Sequence, residues 1–519
     1  MRFLALHDLS STPLSVHKTA MGGSDQRIDV PLRLRAEDRS EHPALREGER
    51  DISFADLDRD ASRVAARLRD AGVQPGDRVL LYARKSAATV AALYGIWRAG
   101  AIAIPASAEL RRAQLVHLIR HGGVRLVLAD PRLEPEVEGL APHLPLPEVL
   151  EGAPAAGPSD APGGDAPAAI LYTSGSTGLP KGIAVSHANL LAGARIVSGY
   201  LGLGPEDRLL SVLPFHFDYG LNQLLTTVAQ GSTLVLQRST HPGAICQALE
   251  KERITGLAGV PPLWAQLFAT GSPLGRMDLG ALRFLTNSGG SFPVELIRRA
   301  KEALPNTRIV LMYGLSEAFR STFLPPDELE TRPTSMGKAI PETEVFVVNE
   351  RGEECAPGEV GELVHRGPTV ALGYWDDPEA TARVFRPDPF GSGETVVFSG
   401  DRVKRDEEGY LYFVGRRDEQ LKSYGHRVSP EEIEQALQAS PLVQMAVVGG
   451  VPDPVAGDAI VAHVIPASDE VTEAEVRAYA RGAMPRYMQP VRVVLHERFP
   501  RTASGKVDRR RLLSERPCP

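Results

Sequence analysis

The chain has 519 residues, 43% of them hydrophobic, with a formal net charge of -7 and a pI near 6.1. That length and apolar content allow roughly two to four domains with sizeable cores, and the acidic balance excludes the overall basic character expected of a nucleic-acid binder. Cys246, Cys355 and Cys518 are odd in number, far apart and without metal-ligand spacing, which points to a reducing compartment and excludes a disulfide framework or a zinc site.

In chain order, the opening "MRFLALHDLSS" carries a short apolar run that His7 and Asp8 end before a secretory core could form. No apolar stretch approaches the roughly 18 residues of a membrane span. The expected location is therefore cytoplasmic. From Arg78 onward, short apolar runs alternate with longer helical segments: "RVLLY", "SAATVAALYGIWRAG", "AIAIP", "VRLVLAD". This alternation predicts parallel sheets covered by helices, an α/β fold. The stretch 151–169, rich in Pro, Gly and Ala, reads as a loop.

That loop leads into "AILYTSGSTGLPKGIAVSH", 169–187. Backbone amides of a Gly-rich turn can converge on an anion, and Ser and Thr hydroxyls add donors. Neither the Walker A spacing nor the dinucleotide pattern G-x-G-x-x-G is present. Taken alone, the segment is equally a flexible surface loop. Beyond it, "RLLSVLP", "STLVLQ", "ITGLAGV", "LRFLTNSG" and "TRIVLMYG" are expected buried strands, each ending in small or polar residues where α/β sheets bind ligands. Around 345–415 the texture turns to hairpins. Then "SPEEIEQALQ" offers Ser429 as N-cap, Pro430 at N1 and Glu432 at N3. The strands "VQMAVVGG" and "AIVAHVIP", a helix from Thr472 and the strand "VRVVLHE" complete an α+β unit of about 100 residues, enough for its own domain.

Six ordered motifs carry a resemblance: "LYTSGSTGLPKG", "MYGLSEA", "GEVGELVHRGPTVALGYW", "FSGD", "GRRDEQLKSYGHRVSPEEIE" and "RTASGKVDRR". Together, from about residue 45 to 510, the chain resembles the AMP-forming adenylate ligases: acyl-CoA synthetases, adenylation domains of nonribosomal peptide synthetases, and luciferases. The resemblance implies a large N-terminal domain, 1–417, with parallel sheets covered by helices and a β-rich subdomain. A small mobile lid, 418–519, would carry a catalytic lysine. It also implies ATP and Mg²⁺.

By resemblance, Thr173, Ser174, Gly175, Ser176, Thr177, Gly178 and Lys181 would hold the β and γ phosphates. Glu317 would bind Mg²⁺, a hard cation that prefers oxygen. Gly314 and Ser316 belong to the same motif, Ser316 standing where the family more often has Thr and keeping a hydroxyl near the α-phosphate. Gly289, Gly290, Ser291 and Tyr313 would bound adenine. Asp401 would accept the ribose hydroxyls, with Arg416 beside it; in isolation Asp401 reads rather as a turn aspartate after Gly400. Lys506 would lie over the α-phosphate during adenylation. Asp418 would be the hinge, and its rotation would bring Lys422 to the site for thioester formation.

The substrate reading rests on "LPFHFDYGLNQ", 213–223. Adenylation domains that take amino acids place an aspartate at the position of Asp218, where it meets the substrate ammonium. The alternative is a helix-capping aspartate before "YGLNQLL". The pocket wall would include Tyr219, Asn222, Gly259, Thr286, Ser288, Met312, Arg320 and Ser321, mostly small or polar. A buried guanidinium has five donors and no acceptor and wants a carboxylate. Arg320 therefore either pairs with Asp218 or, with Asp218 and Ser288 between them, clamps an amino group and a second carboxylate.

The trio resembles that of standalone β-amino-acid adenylation enzymes of macrolactam polyketide pathways, those for 3-methylaspartate above all. The expected acceptor is the phosphopantetheine of a separate acyl carrier protein, since "RRRLLSERPCP" leaves no room for a fused one; coenzyme A is the other thiol. Competing readings are an acyl-CoA synthetase for a nonamino acid, a luciferase-type monooxygenase, and a catalytically dead homologue acting as a binding module. The last would have no physical reason to keep Lys181, Glu317, Asp401, Arg416 and Lys506 together.

Overall fold

The computed structural model describes residues 26–154, 162–173, 180–269, 271–416, 421–423, 426–453, 457–484 and 486–514. The short apolar runs become strands because they are buried on both faces, as parallel strands under helices must be. Ile102–Ala106, for example, is buried along its whole length.

Two sheets make the body. One is seven-stranded among the described residues, and its parallel strands Pro167–Thr173, Ile102–Ala106, Arg78–Tyr82, Val124–Ala129 and His143–Pro145 are neighbours in that order. Lys181–Ser186 is added antiparallel beside the first of them, in a register that pairs Thr173 with Lys181. The other sheet is nine-stranded among the described residues. Its parallel centre runs Arg308–Leu315, Phe284–Asn287, Gly256–Gly259, Arg208–Ser211, Thr233–Leu236 and Pro43–Glu47. The helix Ala87–Arg98 is buried on all sides, with Trp97 fully enclosed and its indole donating to the Ala168 carbonyl at 3.0 Å. An antiparallel sheet built on Val360–Arg366 and Thr395–Arg405 follows.

The C-terminal unit has its own sheet, Val443–Asp453 against Gly457–Pro466 with Arg492–Leu495 parallel to the latter. Val428, Ile433, Val448, Val464, Val476 and Val493 belong to its own core. Its other face is not self-contained. Met445, Val447, Phe499 and Leu512 join the core of the body. The architecture is the expected one: a large N-terminal α/β part with a β-rich sheet, and a small α+β C-terminal domain.

Two local expectations need correction. The strand Pro167–Thr173 begins inside the stretch read as a loop, because Ala168 and Ala169 are small enough to be fully enclosed beside Trp97. Ser429 and Pro430 do start the helix Pro430–Gln438, but no side-chain cap forms; the Ser429 hydroxyl donates to Glu431 Oε2 at 2.9 Å instead. By contrast, Thr472 closes a full capping box with Glu475.

Candidate active site

The strand Arg308–Leu315 turns directly into Ala318–Leu324, with Leu315 opposite Ala318, so Ser316 and Glu317 are the two residues of a tight hairpin. Their side chains reach in different directions. Ser316 Oγ donates to Asp218 Oδ2 at 3.3 Å, while Glu317 Oε1 accepts from the Tyr374 hydroxyl at 2.6 Å. Tyr374 in turn lies under Lys181, whose Nζ is 5.2 Å from the ring centroid. Burial, followed by the charge of Glu317, pushes the Tyr374 phenol up from its ordinary range. One tyrosine thus links the lysine beside the Gly-rich loop, on one sheet, to the carboxylate on the other. Gly314 lets the hairpin close, for a Cβ there would be 3.1 Å from Arg320 Cα.

Asp401 is not a turn residue; it lies within the strand Thr395–Arg405. The Tyr313 hydroxyl donates to its Oδ2, and Arg416 Nε is 2.8 Å from its Oδ1. On the other side of Tyr313 stands His365, with ring centroids 6.0 Å apart and nearly parallel planes. After the strand Phe284–Asn287, Asn287 Nδ2 donates to the Gly290 carbonyl at 3.0 Å and its Oδ1 accepts from Trp264 Nε1 at 3.1 Å. The loop holding Gly289, Gly290 and the exposed Ser291 is thereby fixed.

Lys506 reaches this site from the far end of the chain. Its Nζ stands 4.7 Å from the Phe217 ring centroid, and a Cβ on Gly289, whose φ is +78°, would lie 2.9 Å from Lys506 Cε. The positive φ is what calls for glycine at 289. Burial lowers the Lys506 pKa from its ordinary value, and the charge of Asp218 works against that shift.

In the pocket, Asp218 is the first residue of the helix Asp218–Gln230, and the N-cap position is held by Phe217. Asp218 is 6% exposed. Arg320 is 2% exposed, and it forms no ion pair with Asp218. Its Nη1 donates to the Phe319 carbonyl at 3.0 Å, and its guanidinium lies 4.7 Å from the Tyr219 ring centroid. Among the described residues Nε and Nη2 have no hydrogen-bond partner, and neither does Asn222 Nδ2. Tyr219 is anchored by its hydroxyl to the Thr286 carbonyl at 2.8 Å. Tyr219, Asn222, Thr286 and Met312 share a cavity of about 20 Å³. Ser288, also buried, follows Asn287 and donates its amide to the Gly259 carbonyl. Ser321 does not join Arg320: successive strand residues face opposite ways, and its hydroxyl turns back to the Ala318 carbonyl.

Ser174, Gly175, Ser176, Thr177, Gly178 and Asp418 lie outside the described residues, and so does the Lys422 side chain on the strand Leu421–Ser423. Sequence reasoning gave no role to Tyr374, His365 or His216. Tyr374 and His365 were inside the quoted motif "GELVHRGPTVALGYW", and their contacts are with residues distant in the chain.

Residues 32–375 match the AMP-binding enzyme family, and residues 432–506 match the AMP-binding enzyme C-terminal domain. A feruloyl-CoA synthase from an Amycolatopsis species is 33% identical over 471 residues, which is 89% of this chain and 94% of that protein. Tyrocidine synthase 3 of Brevibacillus parabrevis is 30% identical over 90% of this chain, but the match is 7% of that much longer protein. Among solved structures, the anthranilate CoA ligase AuaEII with anthranoyl-AMP has a TM-score of 0.87 at 25% identity, covering 94% of this chain and 96% of that one. The o-succinylbenzoate coenzyme A synthetase MenE of Bacillus subtilis, with ATP and magnesium, has a TM-score of 0.82 at 26% identity, covering 93% and 99%. With lysine, carboxylates and hairpin gathered at one site and both parts of the family's architecture matched, this chain is a ligase of the AMP-binding enzyme family that adenylates a carboxylate with ATP.

Proposed function

We propose that the substrate is a short amino-dicarboxylic acid of the aspartate or 3-methylaspartate type, activated at the carboxyl β to its amino group. The observation that carries this reading is the enclosed Arg320 guanidinium, with two donor nitrogens lacking a hydrogen-bond partner among the described residues and no ion pair to Asp218. A buried charge with no opposite charge beside it costs several kcal/mol in order of magnitude, of which the Phe319 carbonyl and the Tyr219 ring offset a part. A substrate α-carboxylate would satisfy it, with Asn222 Nδ2 as a further donor, while Asp218 would take the β-ammonium and Ser288 would lie between them.

In the adenylation step the substrate oxygen bonds to the α-phosphorus of ATP as the bond to the bridging oxygen breaks, and pyrophosphate leaves. Charge accumulates in that transition state, and fixed positive groups stabilise it. Lys506 is the group for this task. Lys181 and Thr173, with Ser174, Gly175, Ser176, Thr177 and Gly178, hold the departing phosphates; Asp401 and Arg416 take the ribose; Tyr313, Gly289, Gly290 and Ser291 bound adenine. Among the described residues no cluster of three or more metal-ligating side chains exists. A single carboxylate, Glu317, fits Mg²⁺, which keeps water and phosphate oxygens as its other ligands and would neutralise phosphate charge.

Domain 418–519 then turns about Asp418 and presents Lys422. The thiol sulfur attacks the acyl carbonyl, AMP leaves, and the thiol proton passes to solvent. The acceptor is the phosphopantetheine thiol of a separate acyl carrier protein, in a macrolactam-type polyketide pathway. The likeness to feruloyl-CoA synthase over nearly its full length favours a second reading, a nonamino acid passed to coenzyme A.

Pyrophosphate exchange against α-amino, β-amino, dicarboxylic and aryl acids separates the two readings. Exchange restricted to aryl or fatty acids, or aspartate-type exchange unchanged in Arg320→Ala, refutes the first. Loading of a phosphopantetheinyl carrier against coenzyme A identifies the acceptor.

A further inference from the structure

Three successive residues, His216, Phe217 and Asp218, all face the C-terminal unit at the point where Lys506 enters. His216 Nε2 lies 3.1 Å from the Ala503 carbonyl, the Phe217 ring lies under Lys506 Nζ, and the charge of Asp218 acts on Lys506. A carbonyl only accepts, so the His216 nitrogen facing it carries the hydrogen. Burial holds the imidazole down to about 4, with the nearby Lys85 charge acting the same way and the Ala503 hydrogen bond acting against it. His216 is accordingly neutral at pH 7, and it donates from Nε2.

Both sides of this contact are stiff. On the body side, Lys85 Nζ donates to the Ser211 carbonyl at 2.5 Å and stands 5.5 Å from the Phe215 ring centroid, bracing the segment before His216. On the other side, the loop closes on itself. Thr502 N donates to the Lys506 carbonyl at 2.8 Å and Gly505 N to the Thr502 carbonyl at 2.9 Å, while Gly505 takes a φ of +86°. A turn this tight moves as one piece. The bond on Ala503, together with that from Arg501 Nη2 to the Pro262 carbonyl at 3.1 Å, therefore sets where the Lys506 side chain departs.

We propose that His216 is a positioning residue for adenylation: it anchors the 501–506 turn so that Lys506 stands at the reacting groups, and it has no part in the thioester step. The proposal rests on the role given to Lys506 above. It also ties lid placement to substrate binding, because Asp218, the residue for the substrate ammonium, is two positions away on the same segment.

Hydrogen exchange of the full-length chain with Mg-ATP tests the contact without any acyl substrate. His216→Ala is expected to speed exchange of the Thr502 and Gly505 amides by about tenfold, the worth of one lost hydrogen bond, with the helix Ala87–Arg98 unchanged. His216→Gln, whose amide reaches the carbonyl, keeps the protection. If the alanine variant also loses protection in that helix, His216→Asn, too short to reach, replaces it in the comparison.

With aspartate as probe, pyrophosphate exchange should fall by about 10- to 100-fold in His216→Ala, the cost of misplacing a catalytic group, and recover in His216→Gln. Transfer from supplied aspartyl-AMP to pantetheine should stay the same. Unchanged amides in His216→Ala, or equal loss in both half-reactions, overturns the proposal. Pyrophosphate exchange that survives Lys506→Ala refutes the role of Lys506, and absence of exchange with aspartate in the parent enzyme refutes the substrate reading. The amide result stands apart from both.

Discussion

Ser316 Oγ donates to Asp218 Oδ2 at 3.3 Å, joining the hairpin of the "YGLSE" motif to the start of the pocket helix across 98 positions of sequence. A hydroxyl expected at the α-phosphate is thus also in reach of the residue proposed for the substrate ammonium. Ser316→Ala should raise KM for the amino acid by about tenfold, as loss of a hydrogen bond to a charged group does, while Ser316→Thr should leave it unchanged. Separate KM values for acid and for ATP check this; a change confined to ATP would assign Ser316 to the nucleotide alone.

Arg320 offers a test in which stability and activity move in opposite directions. Replacing a buried charge that has no carboxylate beside it with an apolar side chain of similar length removes a desolvation cost. Arg320→Met is expected to stabilise the substrate-free protein by about 1 to 4 kcal/mol, read by denaturant unfolding, and to abolish exchange with aspartate-type acids. Destabilisation would mean that the Phe319 carbonyl bond and the Tyr219 ring contact outweigh that cost.

Lys506 predicts the alkaline limb of the adenylation rate. Because its pKa is lowered by burial, the charged form is lost as pH rises, and it is lost before the ordinary lysine value of 10.5 is reached. The charge of Asp218 raises the Lys506 pKa, so Asp218→Asn should move the limb to still lower pH. Residual exchange measured with a neutral-amine analogue of the acid across pH 7 to about 10.5 checks the direction.

His365 should make the fold acid-sensitive. It is fully enclosed, its two ring nitrogens have no hydrogen-bond partner among the described residues, and burial holds its pKa down to about 3. Below the unfolded value of 6.5 the unfolded chain binds a proton that the native state refuses, so stability falls as pH drops from 6.5 toward 3. The slope is about 1.4 kcal/mol per pH unit for one such group. His365→Phe, which keeps the stack on Tyr313, should flatten that slope relative to the parent; equal slopes would show that the imidazole has an acceptor.

Much of this was legible in the chain because it is local. The strand Arg78–Tyr82 and the helix Ala87–Arg98 follow from runs of adjacent apolar residues, and Thr472 announces its helix through a glutamate three positions on. Ser429 has the same pattern, but a competing carboxylate two residues away takes its hydroxyl. Motif spacing could nominate Lys181 and Glu317, yet it could not show that Tyr374 stands between them, because that contact is made only when two separate sheets pack. The absence of an Arg320–Asp218 ion pair was likewise out of reach: types of charge were readable, but distances were not.

The lid's grip has a further consequence. Gln444 Nε2 donates to the Ala265 carbonyl at 2.9 Å, Arg501 Nη2 to the Pro262 carbonyl at 3.1 Å, and His216 to the Ala503 carbonyl. Each bond ends on main chain, and none requires a carboxylate opposite it. When these bonds part, water can take over both donor and acceptor, and no orphaned anion is left behind. In the rotation proposed above, timing should therefore follow hydration and viscosity more than ionic strength, and side chains on the body's rim can drift in evolution without loosening these three bonds.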